Sequence, residues 1–328
     1  MSHKYCKGLF CSVALVLLSG CFKENHLSFK IADAENQFFT KTGRLFVTGG
    51  KNIYEVRRDS SYKLVRSRPL FEENCYATGL VERKGYLYAT CTSLEKFHLK
   101  NILKIKNCKF KDQAFIHCIK SFFSKSFLLA AKLTENPRFK IISSLESILF
   151  PNGLSVDDLG RLYSADSASR KIFRIHISHD DPFYVEEIRP WFQKGLIFPN
   201  GLKIKRNKIY FTDLNILKSL KIKRNGSPGT VKIMYKSPHM LDELSFFKNK
   251  ILLTKISKGV ITLVKKDGTS FDSPRFSMNP SSILQGRLPL FKENQFVITD
   301  KGFMYEFNSN KGNRLKIVTV NKLFMKEI

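Results

Sequence analysis

The sequence predicts an all-β fold, a six-bladed β-propeller built of four-stranded antiparallel blades. Three observations lead there. A strand–turn–strand pattern recurs along almost the whole chain. It recurs six times, and all but one of the spacings between copies lie between 42 and 47 residues, the period of a four-stranded propeller blade. Six such units can close into a ring and leave no open sheet edge. A chain of 328 residues, 43% hydrophobic, has enough apolar material for the large core this requires.

The two clearest copies are residues 150–167, FPNGLSVDDLGRLYSADS, and residues 198–214, FPNGLKIKRNKIYFTDL. Each reads as a strand, a tight turn and a second strand ending in a small residue and Asp. A third strand follows, KIFRIH from Lys171 and KSLKIK from Lys218. Fainter copies start at Glu35, Thr78, Asp242 and Gln285, with third strands expected at Asn52, Asn101, Gly259 and Gly302. The second strands end at Gly49, Cys91, Asp166, Asp213, Lys255 and Asp300, and the one long gap, 75 residues, follows Cys91. It predicts an insertion over about residues 107–145, whose stretch 122–133 suits a helix or an extra hairpin. The propeller is expected over 34–328. Residues 26–33 or the strand LKIVTV from Leu315 should seal the first blade to the last.

Residues 1–20 read as an export signal. Lys4 and Lys7 precede an apolar run from Leu9 to Leu18, about half the ~20 residues a membrane-spanning helix needs. The run ends in Leu18, Ser19, Gly20 and Cys21, which resembles the box of a bacterial lipoprotein. That resemblance implies lipidation of Cys21, a tether over residues 21–33, and residence in the cell envelope. Phe22 in place of Asp implies the outer membrane or periplasm. An ordinary signal with an incidental Cys is the alternative. Four cysteines then remain for an oxidising compartment, and the sequence-local pairing is Cys75–Cys91 and Cys108–Cys118. Four buried thiols are the other reading; no CxxC occurs to suggest a metal finger.

Lys and Arg outnumber Asp and Glu, 56 to 28, a net charge of +28. The bases are scattered and alternate with apolar residues, as in Lys104–Ile105–Lys106, Lys203–Ile204–Lys205 and Lys221–Ile222–Lys223. This places Lys on the solvent face of half-buried strands. No basic cluster with interleaved aromatics appears, so nucleic acid is not an expected partner. A monomer is expected.

The residue opening each repeat is Glu35, Thr78, Asn152, Asn200, Asp242 or Gln285, and all six bear oxygen. Inner strands of a propeller face the central channel, so Glu, Asn, Asn and Asp there would suit a hard divalent cation. Polar residues also line any wet channel, and Asn before Gly is a common turn pair. The two PNGL units, with these four residues on successive blades, resemble the gluconolactonase–regucalcin–paraoxonase family of six-bladed propellers. The resemblance implies a divalent ion on the axis, Ca²⁺ first among candidates, held by Glu35, Asn152, Asn200 and Asp242. It also implies hydrolysis of a lactone or related ester, with Asp242 or Glu243 activating water. Two departures stand out: Thr78 takes the place of a paraoxonase His, and Phe150 that of a gluconolactonase Arg. A non-enzymatic propeller that binds a protein, sugar or envelope component is the alternative. Asp166, Asp213 and Asp300 read as structural acceptors of backbone N–H groups.

Overall fold

The computed structural model describes residues 27–71, 73–93, 125–275, 277–302 and 312–319. The signal, Cys21 and the Cys108–Cys118 pair lie outside these residues.

Six four-stranded antiparallel sheets form the six blades. The first holds β2 (Ala34–Phe39), β3 (Leu45–Gly49), β4 (Asn52–Arg58) and β5 (Leu64–Arg66), and the second β6 (Tyr76–Arg83), β7 (Tyr86–Ser93), β8 (Lys125–Lys132) and β9 (Lys140–Ser144). The third runs through β10 (Pro151–Val156), β11 (Leu162–Asp166), β12 (Lys171–Ile177) and β13 (Val185–Phe192). The fourth runs through β14 (Pro199–Lys205), β15 (Lys208–Asp213), β16 (Ile216–Lys221) and β17 (Lys232–Lys236). The fifth comprises β18 (Leu241–Phe247), β19 (Lys250–Lys255), β20 (Val260–Val264) and β21 (Ser270–Asp272). The sixth takes β22 (Pro280–Gln285), β23 (Gln295–Asp300) and β24 (Arg314–Thr319) from the end of the chain and β1 (Leu27–Lys30) from its start. Both candidate closing strands are therefore used, paired with each other from Leu27–Ile317 to Lys30–Arg314.

Three expectations change. Residues 125–132 are neither a helix nor an extra hairpin. They form the third strand of the second blade, paired along the full length of β7, with β9 outside. The long gap thus interrupts the blade between its second and third strands, and the expected third strand at Asn101 lies outside the described residues. In the sixth blade the third strand is β24, not the segment from Gly302. The inner strand of that blade also pairs in a different register: Pro280 faces Asp300 as Pro151 faces Asp166 and Pro199 faces Asp213. The residue that matches Asn152 is therefore Ser281, and Gln285 lies four residues further along.

Apolar side chains fill the spaces between neighbouring sheets. Six buried clusters occur, one at each blade junction; Phe247, Leu252, Phe296 and Ile298 fill the fifth–sixth, and Tyr163, Leu202, Ile209 and Phe211 the third–fourth. The outer strands β9, β13 and β17 keep mostly exposed or half-buried residues, which is where the chain carries much of its charge.

The repeated acids act as anchors. Asp166 accepts the backbone N–H groups of Leu149 and Phe150 at 2.8 and 2.9 Å. Asp213 does the same for Ile197 and Phe198, and Asp300 for Met278 and Asn279. Each carboxylate at the end of a second strand thereby fixes the loop that leads into the inner strand of its own blade. Asp213 is fully buried and also takes the Lys218 ammonium at 2.5 Å.

Candidate functional site: a buried acid–amide ring on the propeller axis

Every inner strand begins with the same irregularity. One residue pairs with the end of the second strand, and the register then shifts at the next. Such a bulge re-aims a side chain. The residues in the bulges are Glu35, Thr78, Asn152, Asn200, Asp242 and Ser281, and all six are buried.

Close approach of the strands explains the glycine that follows in three blades. A β-carbon on Gly153 would lie 2.5 Å from the Asn200 carbonyl oxygen, and one on Gly201 2.6 Å from that of Asp242. A β-carbon on Gly79 would meet the Asn152 carbonyl oxygen at 2.5 Å. Side chains have no room there, so Asn-Gly in this chain is a packing requirement between blades rather than a turn signal.

A girdle of hydroxyls fixes the bulges. The residue before the end of the second strand is Thr48, Thr90, Thr212, Thr254 or Thr299 in five blades. Thr212 donates to the Asp242 carbonyl at 2.5 Å, Thr254 to that of Ser281, Thr299 to that of Glu35 and Thr48 to that of Thr78. In the third blade, where Ala165 stands instead, Ser167 reaches the Pro199 carbonyl. In the second blade Thr78 itself donates to the Pro151 carbonyl at 2.7 Å, so each blade holds the axial backbone of the next.

Of the four predicted ligands, the structure brings three into one electrostatic unit. Asn200 Nδ2 donates to Asp242 Oδ1 at 2.7 Å. Burial and the Glu35 carboxylate, with a smaller push from Glu243, raise the Asp242 carboxyl well above the usual range, against the pull of Lys301. Asn152 sits at the same register on β10, next to β14. Glu35 Oε2 faces the ammonium of Lys301 and accepts no hydrogen bond from any other described residue. Burial draws the Lys301 ammonium down, but Glu35 and Asp242 beside it outweigh this and hold it above the ordinary lysine range. Asp33 completes the mouth. It accepts the Tyr76 hydroxyl at 2.5 Å, and burial and this bond push the phenol far up.

Glu243 stands just below the ring, and both of its oxygens are in use. Oε2 accepts Asn36 Nδ2 at 2.9 Å and lies 3.1 Å from Lys203 Nζ, and Oε1 accepts the backbone N–H of Leu244. Lys203, expected on a solvent face, in fact points into the channel with 20% of its side chain exposed. A cavity of about 440 Å³ opens at the far ends of the inner strands, lined by Gln37, Phe38, Lys203, Ser245, Phe246 and Arg287 among others. Gln37 Oε1 and Ser245 Oγ in its wall have no hydrogen-bond partner among the described residues.

Sequence reasoning missed Lys301, Lys203, Asn36 and the threonine girdle. One signal was available for Lys301. The residues that follow the second-strand ends elsewhere are Gly50, Thr92, Ser167, Leu214 and Ile256, and a lysine stands only in the sixth blade. The predicted Cys75–Cys91 disulfide is present, linking the start of the second blade to β7. No helix among the described residues is long and apolar enough to cross a membrane.

No protein-family model and no curated protein matches the chain. Solved structures do. A calcium-binding protein, regucalcin, from Agrobacterium tumefaciens is 11% identical over 89% of this chain and 91% of its own, with a TM-score of 0.60. A gluconolactonase from Xanthomonas campestris is 11% identical over 90% of each chain, with a TM-score of 0.58. A chain of a nidogen/laminin complex is 14% identical over 78% of this chain and 85% of its own, with a TM-score of 0.55. At these identities the likeness is one of fold, and the chain is a six-bladed β-propeller of the architecture found in gluconolactonases and regucalcin.

Proposed function

We propose that this chain is a lipid-anchored propeller of the bacterial envelope, outer membrane or periplasm, that takes up a divalent cation on its axis and hydrolyses a small lactone or ester. The observation that carries the reading is the ring: Glu35, Asn152, Asn200 and Asp242 at one register of successive or facing blades, all buried. Their donor chemistry fits the ion. Two carboxylates and two amide oxygens suit a hard cation such as Ca²⁺, and the only partner of Glu35 Oε2 among the described residues is the Lys301 ammonium. The printed functions of two fold neighbours, calcium binding and gluconolactonase activity, agree with it.

Glu35 and Asp242 would supply the charge, and Asn152 and Asn200 neutral oxygens. A bound cation there supplies polarisation of a carbonyl. Asp242 would be the proton acceptor from water, because its carboxylate's only hydrogen bond among the described residues is the one it accepts from Asn200 Nδ2, which leaves a carboxylate oxygen open. Glu243 is engaged by Asn36 and Lys203, and its role is to orient that pair below the ring.

A binding propeller without hydrolysis is the second reading. The cavity at the far mouth, with Lys203, Arg287 and Gln285 in its wall, favours it, since cationic and amide side chains around one opening suit a small polar ligand.

Metal analysis, melting with and without chelator, and hydrolysis of a panel of small lactones and esters test the first reading on wild type and Asp242→Ala. The expected outcome is one bound ion, a melting temperature lowered by chelator, and hydrolysis that Asp242→Ala abolishes. A wild type that binds the ion and hydrolyses nothing would leave the binding reading. For the anchor, Cys21→Ser should abolish lipid labelling; wild type recovered from the cytosol with residues 1–20 intact would refute it.

A further inference from the structure

We infer that Lys301 is the resident counter-ion of the axial ring, and that a divalent cation binds only by displacing its ammonium group from Glu35. The inference rests on the metal reading above. Lys301 directly follows the end of β23. Its backbone N–H is held by the Asn279 carbonyl at 2.9 Å, beside the Asp300 anchor, so the side chain starts from a fixed point at the channel mouth. It then pairs with Glu35 Oε2, with 18% of the lysine side chain and 10% of the glutamate exposed. The same oxygen has no other donor. Asp242 and Asp33 complete the anionic surroundings of the ammonium. No other blade places a cation at the equivalent position; the residues there are Gly50, Thr92, Ser167, Leu214 and Ile256.

The two cations compete for Glu35 by charge. A calcium–oxygen distance is about 2.3–2.6 Å and an ammonium on the same oxygen stands at about 2.7–2.9 Å, so a divalent ion and the ammonium would face each other within about 5 Å in a buried site, where their repulsion is strong. The charge balance points the same way. Glu35 and Asp242 carry two negative charges, and Lys301 cancels one of them while it stays. Affinity for Ca²⁺ falls with the charge its ligands offer. The ring therefore has its own cation in the metal-free state, and the lysine sets how strongly an outside ion must bind to enter. When the ammonium leaves Glu35, it swings toward the open mouth, where water solvates it.

The test uses the mature wild-type protein, Lys301→Met and Lys301→Gln, with Ca²⁺ as the probe. Calorimetric titration should show both variants binding Ca²⁺ about tenfold tighter than wild type or more. The same result follows if wild type shows no binding and the variants do. In wild type alone, acetylation of Lys301 by an amine-reactive acetyl ester, read by mass spectrometry, should rise several-fold when Ca²⁺ is added. This second measurement decides the matter if neither variant folds. Equal affinities, or Lys301 reactivity that does not change as Ca²⁺ binds, would overturn the inference and leave the metal reading standing. Failure of all three proteins to bind Ca²⁺, with melting unchanged, would overturn the metal reading and the inference with it.

Discussion

At the scale of single residues, buried carboxylates divide into those already balanced and those that are not. Asp213 is balanced: it accepts Ile197 and Phe198 N–H groups and the Lys218 ammonium, and no part of it is exposed. Asp213→Ala should therefore destabilise by about 3–5 kcal/mol, because it strands a buried cation and two backbone donors; urea unfolding measures this. Asp242 is not balanced in the absence of a metal. Burial and the Glu35 carboxylate hold its folded carboxyl well above the ordinary aspartate range, so between the unfolded and folded values the folded state binds a proton that the unfolded chain has released, and above both the carboxylate is charged at a cost. Its contribution to stability is greatest below the unfolded value and is lost as pH rises through the folded one. Asp242→Asn keeps an acceptor for Asn200 and removes the charge. It should raise the melting temperature of metal-free protein at pH 7 by roughly 2 °C or more and flatten this pH slope, while weakening Ca²⁺ binding. A variant that melts lower than wild type at pH 7 without metal would show that the Asp242 charge is already compensated. Asp272 runs the other way. Although burial acts against it, Lys255 and Lys258 hold its carboxyl at about 2, so its contribution is present above the ordinary aspartate range and lost only as pH falls toward 2.

At the scale of elements, the inner strands are set by how closely they approach one another. A β-carbon on Gly201 would lie 2.5 Å from Glu243 Oε1 and 2.6 Å from the Asp242 carbonyl oxygen, and the second contact is backbone that cannot swing away. Gly201→Ala should cost about 1–3 kcal/mol and weaken cation binding, because it pushes β18 and its Asp242 off the axis. Chemical denaturation and Ca²⁺ titration of the same variant would register both. The Cys75–Cys91 bridge, 16 residues apart, constrains the unfolded chain and should contribute about 3 kcal/mol, read as the drop in stability on reduction. These elements also mark what was legible in the sequence. Second-strand ends were readable in all six blades because Gly49, Cys91, Asp166, Asp213, Lys255 and Asp300 close a simple alternating pattern. The bulge register was readable in five blades, directly in the three where Gly-Leu follows Thr78, Asn152 and Asn200, and by the repeat period at Glu35 and Asp242. It failed in the sixth, where Ser281 has a short side chain and no Gly follows, so Gln285-Gly286 imitated the motif. Strands β8 and β24 were misplaced for a different reason: each follows a long connection, and nearer apolar alternations, at Asn101 and Gly302, offered a decoy. The threonine girdle was visible as a repeat, but its role is not local. Thr212 holds a carbonyl 30 residues away and Thr299 one 264 residues away, and nothing short-range in the sequence reports such a contact.

At the scale of the whole molecule, the ring is closed by hydrogen bonds between its two ends. β1 is the outermost strand of the sixth blade and pairs with β24 over four residues, while the other five blades are each continuous in sequence. The closure is reinforced behind β1: Ile31 N–H bonds the Asn313 carbonyl and Asp33 N–H bonds Asn313 Oδ1. Across the same junction Ile31, Leu45, Val47 and Phe291 share one buried cluster with Leu315 and Ile317. Removal of the chain through Lys30 would bare the edge of β24, and an unpaired edge is both a loss of stability and a template for association. We expect that truncation to cost on the order of 3 kcal/mol or more and to shift the protein from monomer to aggregate in size-exclusion chromatography. The control separates closure from mere length. A circular permutant with a flexible linker joining the old termini, and new ends opened between Asp180 and Asp181, both exposed, keeps β1 on β24 and should melt close to wild type, since new ends in an exposed connection are tolerated. If the truncated chain were as stable and as monomeric as the permutant, the apolar junction alone would hold the ring shut, and the strand shared between the two ends of the chain would be dispensable.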